Sequence, residues 1–133
     1  EFETPTGLYR PNNYNHRFYG PVSLRFALGN SLNVAAIRVE QLGGGPEALH
    51  RLMRRLGVTS FGHPAEHYGL GLVLGNGEVR LLELANAYAT FARGGVHRPY
   101  RLVRSPDEIP AGEGVLDEGT AWLIPWPSTT NTG

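Results

Sequence analysis

The chain has 133 residues, and its 12 cationic side chains balance 12 carboxylates. Apolar residues make up 41% and charged residues 18%, a balance that excludes disorder for most of the chain. A net charge of zero gives no general attraction for nucleic acid, and no apolar run is long enough to span a membrane. Cysteine is absent, so disulfides, thiolate catalysis and cysteine-ligated zinc are excluded. Lysine is absent too, since every cation is arginine. The chain therefore holds no lysine base, Schiff base or P-loop lysine; the plain compositional reading is a GC-rich genome.

Residues 1–20 read as extended and turn-rich, because Pro11, Asn12, Asn13 and Asn15 crowd one stretch. Gly20-Pro21 predicts a helix start, with proline at the first helical position, and Gly29-Asn30 predicts its stop. Ser31 is expected to cap a second helix, Leu32 to Leu42, with Val34, Ile37, Gln41 and Leu42 as its buried stripe. Gly43-Gly44-Gly45 ends it. Pro46 opens a third helix, where Leu49, Leu52, Met53 and Leu56 share a face and Gly57 follows as a stop.

Residues 58–77 read as irregular, with Leu70, Leu72, Val73 and Leu74 forming a short buried strand or an anchored loop. A fourth helix is expected from Glu78 to Arg93, with Leu81, Leu84, Ala85, Tyr88, Phe91 and Ala92 as its core face and Gly94-Gly95 as its end. Val96 to Arg104 predicts a strand, and Ser105-Pro106-Asp107 a turn. A last short helix starts at Asp117 and covers Ala121 to Ile124. Pro125 to Gly133 reads as loop or a ragged end, and the chain reads as a piece of a larger protein.

Three groups of residues invite a chemical reading. His63 and His67 are four apart, but Pro64 lies between them and no Asp or Cys completes a ligand set, so no metal is expected. The glycine-rich stretch from Gly69 to Gly77 lacks the Lys-Ser/Thr of a phosphate loop; it reads as a backbone-approach loop beside a site, or as turn geometry. Ser31-Leu32-Asn33 taken alone is an ordinary helix cap.

The surroundings of that triplet change its meaning. Residues 11–15 and 18–38, then 68–75, 78–95 and 118–124, resemble in the same order the transpeptidase domain of bifunctional class A penicillin-binding proteins, nearest the 1C subgroup. The resemblance implies a mostly helical segment of an α+β serine-acyltransferase fold, shared with serine β-lactamases. It covers residues 1–124 as a partial transpeptidase domain and leaves 125–133 as a divergent end. Such enzymes carry Ser-x-x-Lys with the nucleophile, Ser-x-Asn, and Lys-Thr/Ser-Gly. The resemblance makes Ser31 and Asn33 the second motif. By that resemblance both are catalytic: Ser31 belongs to the proton relay around the nucleophile and its lysine, and Asn33 hydrogen-bonds substrate and that lysine. Ser-x-x-Lys is missing, as it must be without lysine. Thr130-Asn131-Thr132-Gly133 has Asn131 in the lysine place, so Thr132 and Gly133 are secondary substrate-binding candidates in what reads as a chance likeness or a damaged end.

The resemblance further implies no cofactor, peptidoglycan stem peptides as substrates, β-lactams as inhibitors of the parent, and no nucleic-acid partner. It places the parent at the extracytoplasmic face of the bacterial membrane, with a glycosyltransferase domain and membrane anchor upstream. The chain alone is expected to be inactive. Two other readings stay open: a non-catalytic helical interaction module that keeps the scaffold, and a serine β-lactamase relative. Ser31 is expected at a helix N-terminus, with Asn33 in the first turn and both side chains at a concave surface.

Overall fold

The computed structural model describes residues 1–4, 7–103 and 109–123. The chain divides into two compact units, one of residues 1–50 and 63–77 and the other of residues 51–62 and 78–133.

The first unit opens with an antiparallel hairpin of β1 (Phe2–Thr4) and β2 (Gly7–Tyr9), in which Phe2 faces Tyr9 and is buried. Helix α1 runs from Leu24 to Gly29. It does not start at Pro21 as the sequence suggested, because the Ser23 hydroxyl accepts the Phe26 N–H at 3.2 Å and fixes the start there. Helix α2, Asn33–Leu42, buries Ile37 and Glu40, while Leu42 of the expected stripe is exposed. Helix α3, Gly45–Arg55, begins in this unit and ends in the other.

Next come a single turn, α4 (Ala65–Tyr68), and a 3-10 helix (Gly69–Leu74) that packs on α2. The expected strand or loop at Leu70–Leu74 is thus a tight helix. Its backbone groups are satisfied locally: Gly75 N–H donates to Leu72 O at 3.1 Å, and Asn76 N–H to Gly71 O at 3.3 Å. Gly75, at φ +91°, turns the chain away, and the Asn76 side-chain amide donates back to Tyr68 O at 2.9 Å.

The second unit gathers Leu56, Ala87 and Val115, with Leu52, Met53 and Leu116 packed around them. Helix α5 is Leu81–Ala92, starting three residues after Glu78. Its buried face is not the expected one. Leu81 is 82% exposed and Tyr88 65%, whereas Glu83, Asn86, Ala87 and Thr90 are buried at i, i+3, i+4 and i+7. Each polar member is held. Glu83 accepts Thr59 Oγ1 at 2.6 Å and Ser60 N–H at 3.1 Å, Asn86 Nδ2 donates to Arg98 O at 2.9 Å, and Thr90 Oγ1 donates to Asn86 O at 3.3 Å. These bonds tie adjoining loops to α5, and so they decide which face turns inward.

The strand expected over Val96–Arg104 is two residues long. Strand β3 (Val96–His97) pairs antiparallel with β4 (Glu113–Gly114), and Pro99 has no N–H with which to extend the ladder. Arg55 reaches β4 through Glu113 Oε1 at 2.9 Å and Gly114 O at 2.7 Å. Helix α6, Glu118–Leu123, starts where expected, with Asp117 Oδ1 accepting the Thr120 N–H at 2.9 Å. The expected turn at Ser105–Asp107, the helix end at Ile124 and the tail 125–133 lie outside the described residues.

Candidate functional site

Three helices close in one way, and the third case marks the site. At the end of α3, Val58 N–H donates to Met53 O and Gly57 N–H to Arg54 O, with Gly57 at φ +87°. At the end of α5, Gly95 N–H donates to Thr90 O and Gly94 N–H to Phe91 O, with Gly94 at φ +64°. Both are Schellman closures, which favour glycine because the left-handed residue must have positive φ. At the end of α1, Leu32 N–H donates to Ala27 O at 3.0 Å and Ser31 N–H to Leu28 O at 3.1 Å. The left-handed residue there is Ser31, at φ +54°.

Ser31 therefore closes α1 and does not cap α2, a correction to the sequence reading. The cap position of α2 is Leu32, whose side chain accepts nothing. The capping oxygen comes from far away in sequence: Asn13 Oδ1 accepts the Val34 N–H at 3.2 Å. Asn13 is 5% exposed, and its Nδ2 donates to Arg17 O at 2.7 Å, so the amide joins its own loop to α2. Next to it, Asn33 Nδ2 donates to Asn12 O at 3.1 Å. Sequence reasoning took Asn12 and Asn13 for turn formers. Their bracing role has no local signal, because the partners lie 21 positions away.

Ser31 and Asn33 both line a cavity of about 440 Å³ bounded by α1, α2 and the 3-10 helix. The rest of the wall is apolar and includes Leu24, Leu28, Ala36, Val39, Val73 and Leu74. Asn33 is the first residue of α2, in the turn expected of it. The arrangement places one hydroxyl and one carboxamide on an otherwise apolar surface. None of the described lining side chains titrates near neutrality, so they supply no general base. Val73 and Leu74 bring the glycine-rich stretch to the cavity wall. Thr132 and Gly133 lie outside the described residues.

Behind the cavity wall, α2 carries a buried carboxyl. Glu40 is 6% exposed, with no donor among the described residues in hydrogen-bond geometry at either oxygen. Burial pushes its carboxyl up to about 7; the Val73 amide opposes this in part, and Glu47 adds to it. His63 and His67 stack with centroids 4.1 Å apart, and among the described residues no group of three His, Cys, Asp or Glu is placed to hold a metal.

No family profile matches the chain. Individual relatives do. Penicillin-binding protein 1C of Escherichia coli K12 is 34% identical over 119 residues, which is 90% of this chain and 15% of the relative. Penicillin-binding protein 1A of Pseudomonas aeruginosa is 35% identical over 100 residues, 73% of this chain and 11% of the relative. The solved structure of PonA1 from Mycobacterium tuberculosis in complex with penicillin V superposes with a TM-score of 0.68 at 25% identity, over 83% of this chain and 34% of that one. The chain thus spans about a sixth or less of the length of the two penicillin-binding proteins matched by sequence, and about a third of the PonA1 structure. The order of its matched segments, its mostly helical α+β architecture and this homology agree: the chain belongs to the penicillin-binding protein family and corresponds to a segment of its transpeptidase fold.

Proposed function

We propose that the chain is the part of a D-Ala-D-Ala transpeptidase that carries the Ser-x-Asn motif, with Ser31 in the proton relay and Asn33 holding substrate. The observation behind this reading is Ser31 in a left-handed helix closure where α3 and α5 use glycine. A serine there carries a backbone cost that glycine avoids, and what it gains is a hydroxyl at the rim of the cavity. The nucleophilic serine and its lysine come from outside residues 1–133, since this sequence has no lysine.

In the whole protein, the nucleophilic serine attacks the carbonyl of the penultimate D-Ala of a stem peptide. Its proton moves through the relay to the leaving amine, the peptide bond breaks, and the terminal D-Ala departs. An amine of a neighbouring stem peptide then attacks the acyl-enzyme, forms the cross-link and returns the serine hydroxyl. A β-lactam acylates the same serine. Asn33 is suited to a fixed role, because its Nδ2 is already anchored on Asn12 O and its carboxamide is held in place before substrate arrives. The work is extracytoplasmic, and the partners are stem peptides and β-lactams; no helix among the described residues is long and apolar enough to cross a membrane.

Fluorescent penicillin tests the proposal. The 133-residue chain should remain unlabelled, while the full-length protein should be labelled and protected by unlabelled β-lactam. Ser31→Ala in the full-length protein should slow acylation by roughly a hundred- to ten-thousandfold. A full-length protein that takes no label supports the non-catalytic module instead, and rapid turnover of the label points to a β-lactamase relative. An unchanged acylation rate in Ser31→Ala removes Ser31 from the relay.

A further inference from the structure

The chain is neutral as a whole but not along its length. Residues 84–106 contain four arginines and no Asp or Glu. Three of them, Arg93, Arg98 and Arg101, line one cavity of about 560 Å³ in the second unit, together with Asn86 and Tyr100. Among the described residues no carboxylate lines it. The ion pairs among the described residues are Arg10–Glu1, Arg55–Glu113 and Arg80–Glu83, and none uses these three guanidiniums.

The cavity has built walls. Asn86, 7% exposed, donates through Nδ2 to Arg98 O at 2.9 Å, and its Oδ1 accepts Arg93 Nη1 at 3.4 Å. One buried carboxamide therefore positions the backbone of one arginine and the side chain of another. The Arg98 stem runs across Gly112, where a Cβ would meet its Nε at 3.2 Å and its Cγ at 3.3 Å. The field of Arg93 reaches further: after burial, it is the next cause that holds the His97 imidazole below its ordinary range.

From these placements we infer that the second unit binds a phosphate-bearing ligand between Arg93, Arg98 and Arg101. Gathering three guanidiniums with no carboxylate partner among the described residues leaves mutual repulsion that a multivalent anion relieves. A single carboxylate offsets one charge. A phosphate group brings between one and two charges, with three oxygens for the planar donor forks of arginine. The ligand can be a free phosphate or the phosphate of a lipid headgroup, and the chemistry recognised is the same.

Titration calorimetry with inorganic pyrophosphate at low ionic strength, and flotation with vesicles, test the inference and separate the two sources. The vesicles are phosphatidylglycerol mixed with phosphatidylcholine, with pure phosphatidylcholine as control. Saturable pyrophosphate binding should weaken at least tenfold in Arg98→Ala/Arg101→Ala and remain in Arg25→Ala, whose arginine is exposed in the other unit. Arg98→Lys should lie between wild type and the double variant, because it keeps the charge and loses the fork. Flotation with the anionic vesicles only, lost in the same double variant, would assign the headgroup as the source. Circular dichroism confirms the fold of each variant. Binding to neither probe overturns the inference, and so does an equal loss in Arg25→Ala.

Discussion

The backbone N–H of Val34 donates to Oδ1 of Asn13 across 21 positions of sequence, so the first turn of α2 is capped by a residue from another part of the chain. The same amide holds Arg17 O through its Nδ2. Asn13 thereby sets where α2 begins, and with it the position of Asn33. Replacing Asn13 by Ala should cost about 1–3 kcal/mol, from a lost cap and a buried N–H left unsatisfied. Urea denaturation followed by circular dichroism measures this. In the full-length protein the same variant should slow penicillin acylation although Asn13 is absent from the cavity wall.

Ser31→Gly separates stability from function. Glycine adopts φ +54° without a Cβ penalty, so the variant should be more stable by a few tenths to about 1 kcal/mol. Its penicillin acylation in the full-length protein should nevertheless fall as far as that of Ser31→Ala. Ser31→Val should lose both. A Ser31→Gly protein no more stable than the parent would remove the argument from backbone strain.

Two buried carboxyls give opposite pH slopes. Burial raises Glu40 from 4.5 to about 7, so the folded state binds more protons than the unfolded one between those values. Stability of the first unit should therefore fall as pH rises from about 4.5 to 7 and then level off. Glu40→Gln should flatten that slope and gain on the order of 1 kcal/mol above pH 7, after allowance for solvent screening. Glu83 behaves in reverse. The hydrogen bond from Thr59, supported by those from Ser60, lowers it to about 2. Its contribution is complete above about 4.5 and is lost as pH falls toward 2. Amide exchange in α2 and α5 as a function of pH reads the two units separately.

Gly95 tests a close approach. It stands at φ +89°, and a Cβ there would collide with the carbonyl of Leu116, while its own carbonyl accepts Val115 N–H at 2.9 Å. Gly95→Ala should cost about 2–4 kcal/mol, well above Gly29→Ala, where a Cβ meets open space. Equal losses at the two positions would mean that the Leu116 segment yields freely.

Much of this was legible in the sequence. The glycine-marked end of α2, the proline- and glycine-marked ends of α3 and the start of α6 fall within a residue or two of expectation, because these are local signals. Asn33 reached the first turn and the cavity as its motif suggested. Ser31 was misread, since a serine after Gly-Asn looks like an N-cap and only the bonds to Ala27 and Leu28 show that it ends the helix before. The bracing by Asn12 and Asn13 depends on distant partners and carries no periodic signature. The inward face of α5 was misread for a similar reason: apolar spacing marked Leu81, Leu84 and Tyr88, while hydrogen bonds to loops turned Glu83, Asn86 and Thr90 inward.

That reversal on α5 changes how the chain tolerates substitution. In a saturation scan scored on the folding of these 133 residues alone, polar replacements at Leu81 and Tyr88 should pass almost unnoticed, because those side chains are 82% and 65% exposed. Conservative replacements at Glu83 and Asn86 should rank among the most damaging on the helix, because each strands a buried partner. Hydropathy would then be a misleading guide to which positions of α5 the fold needs.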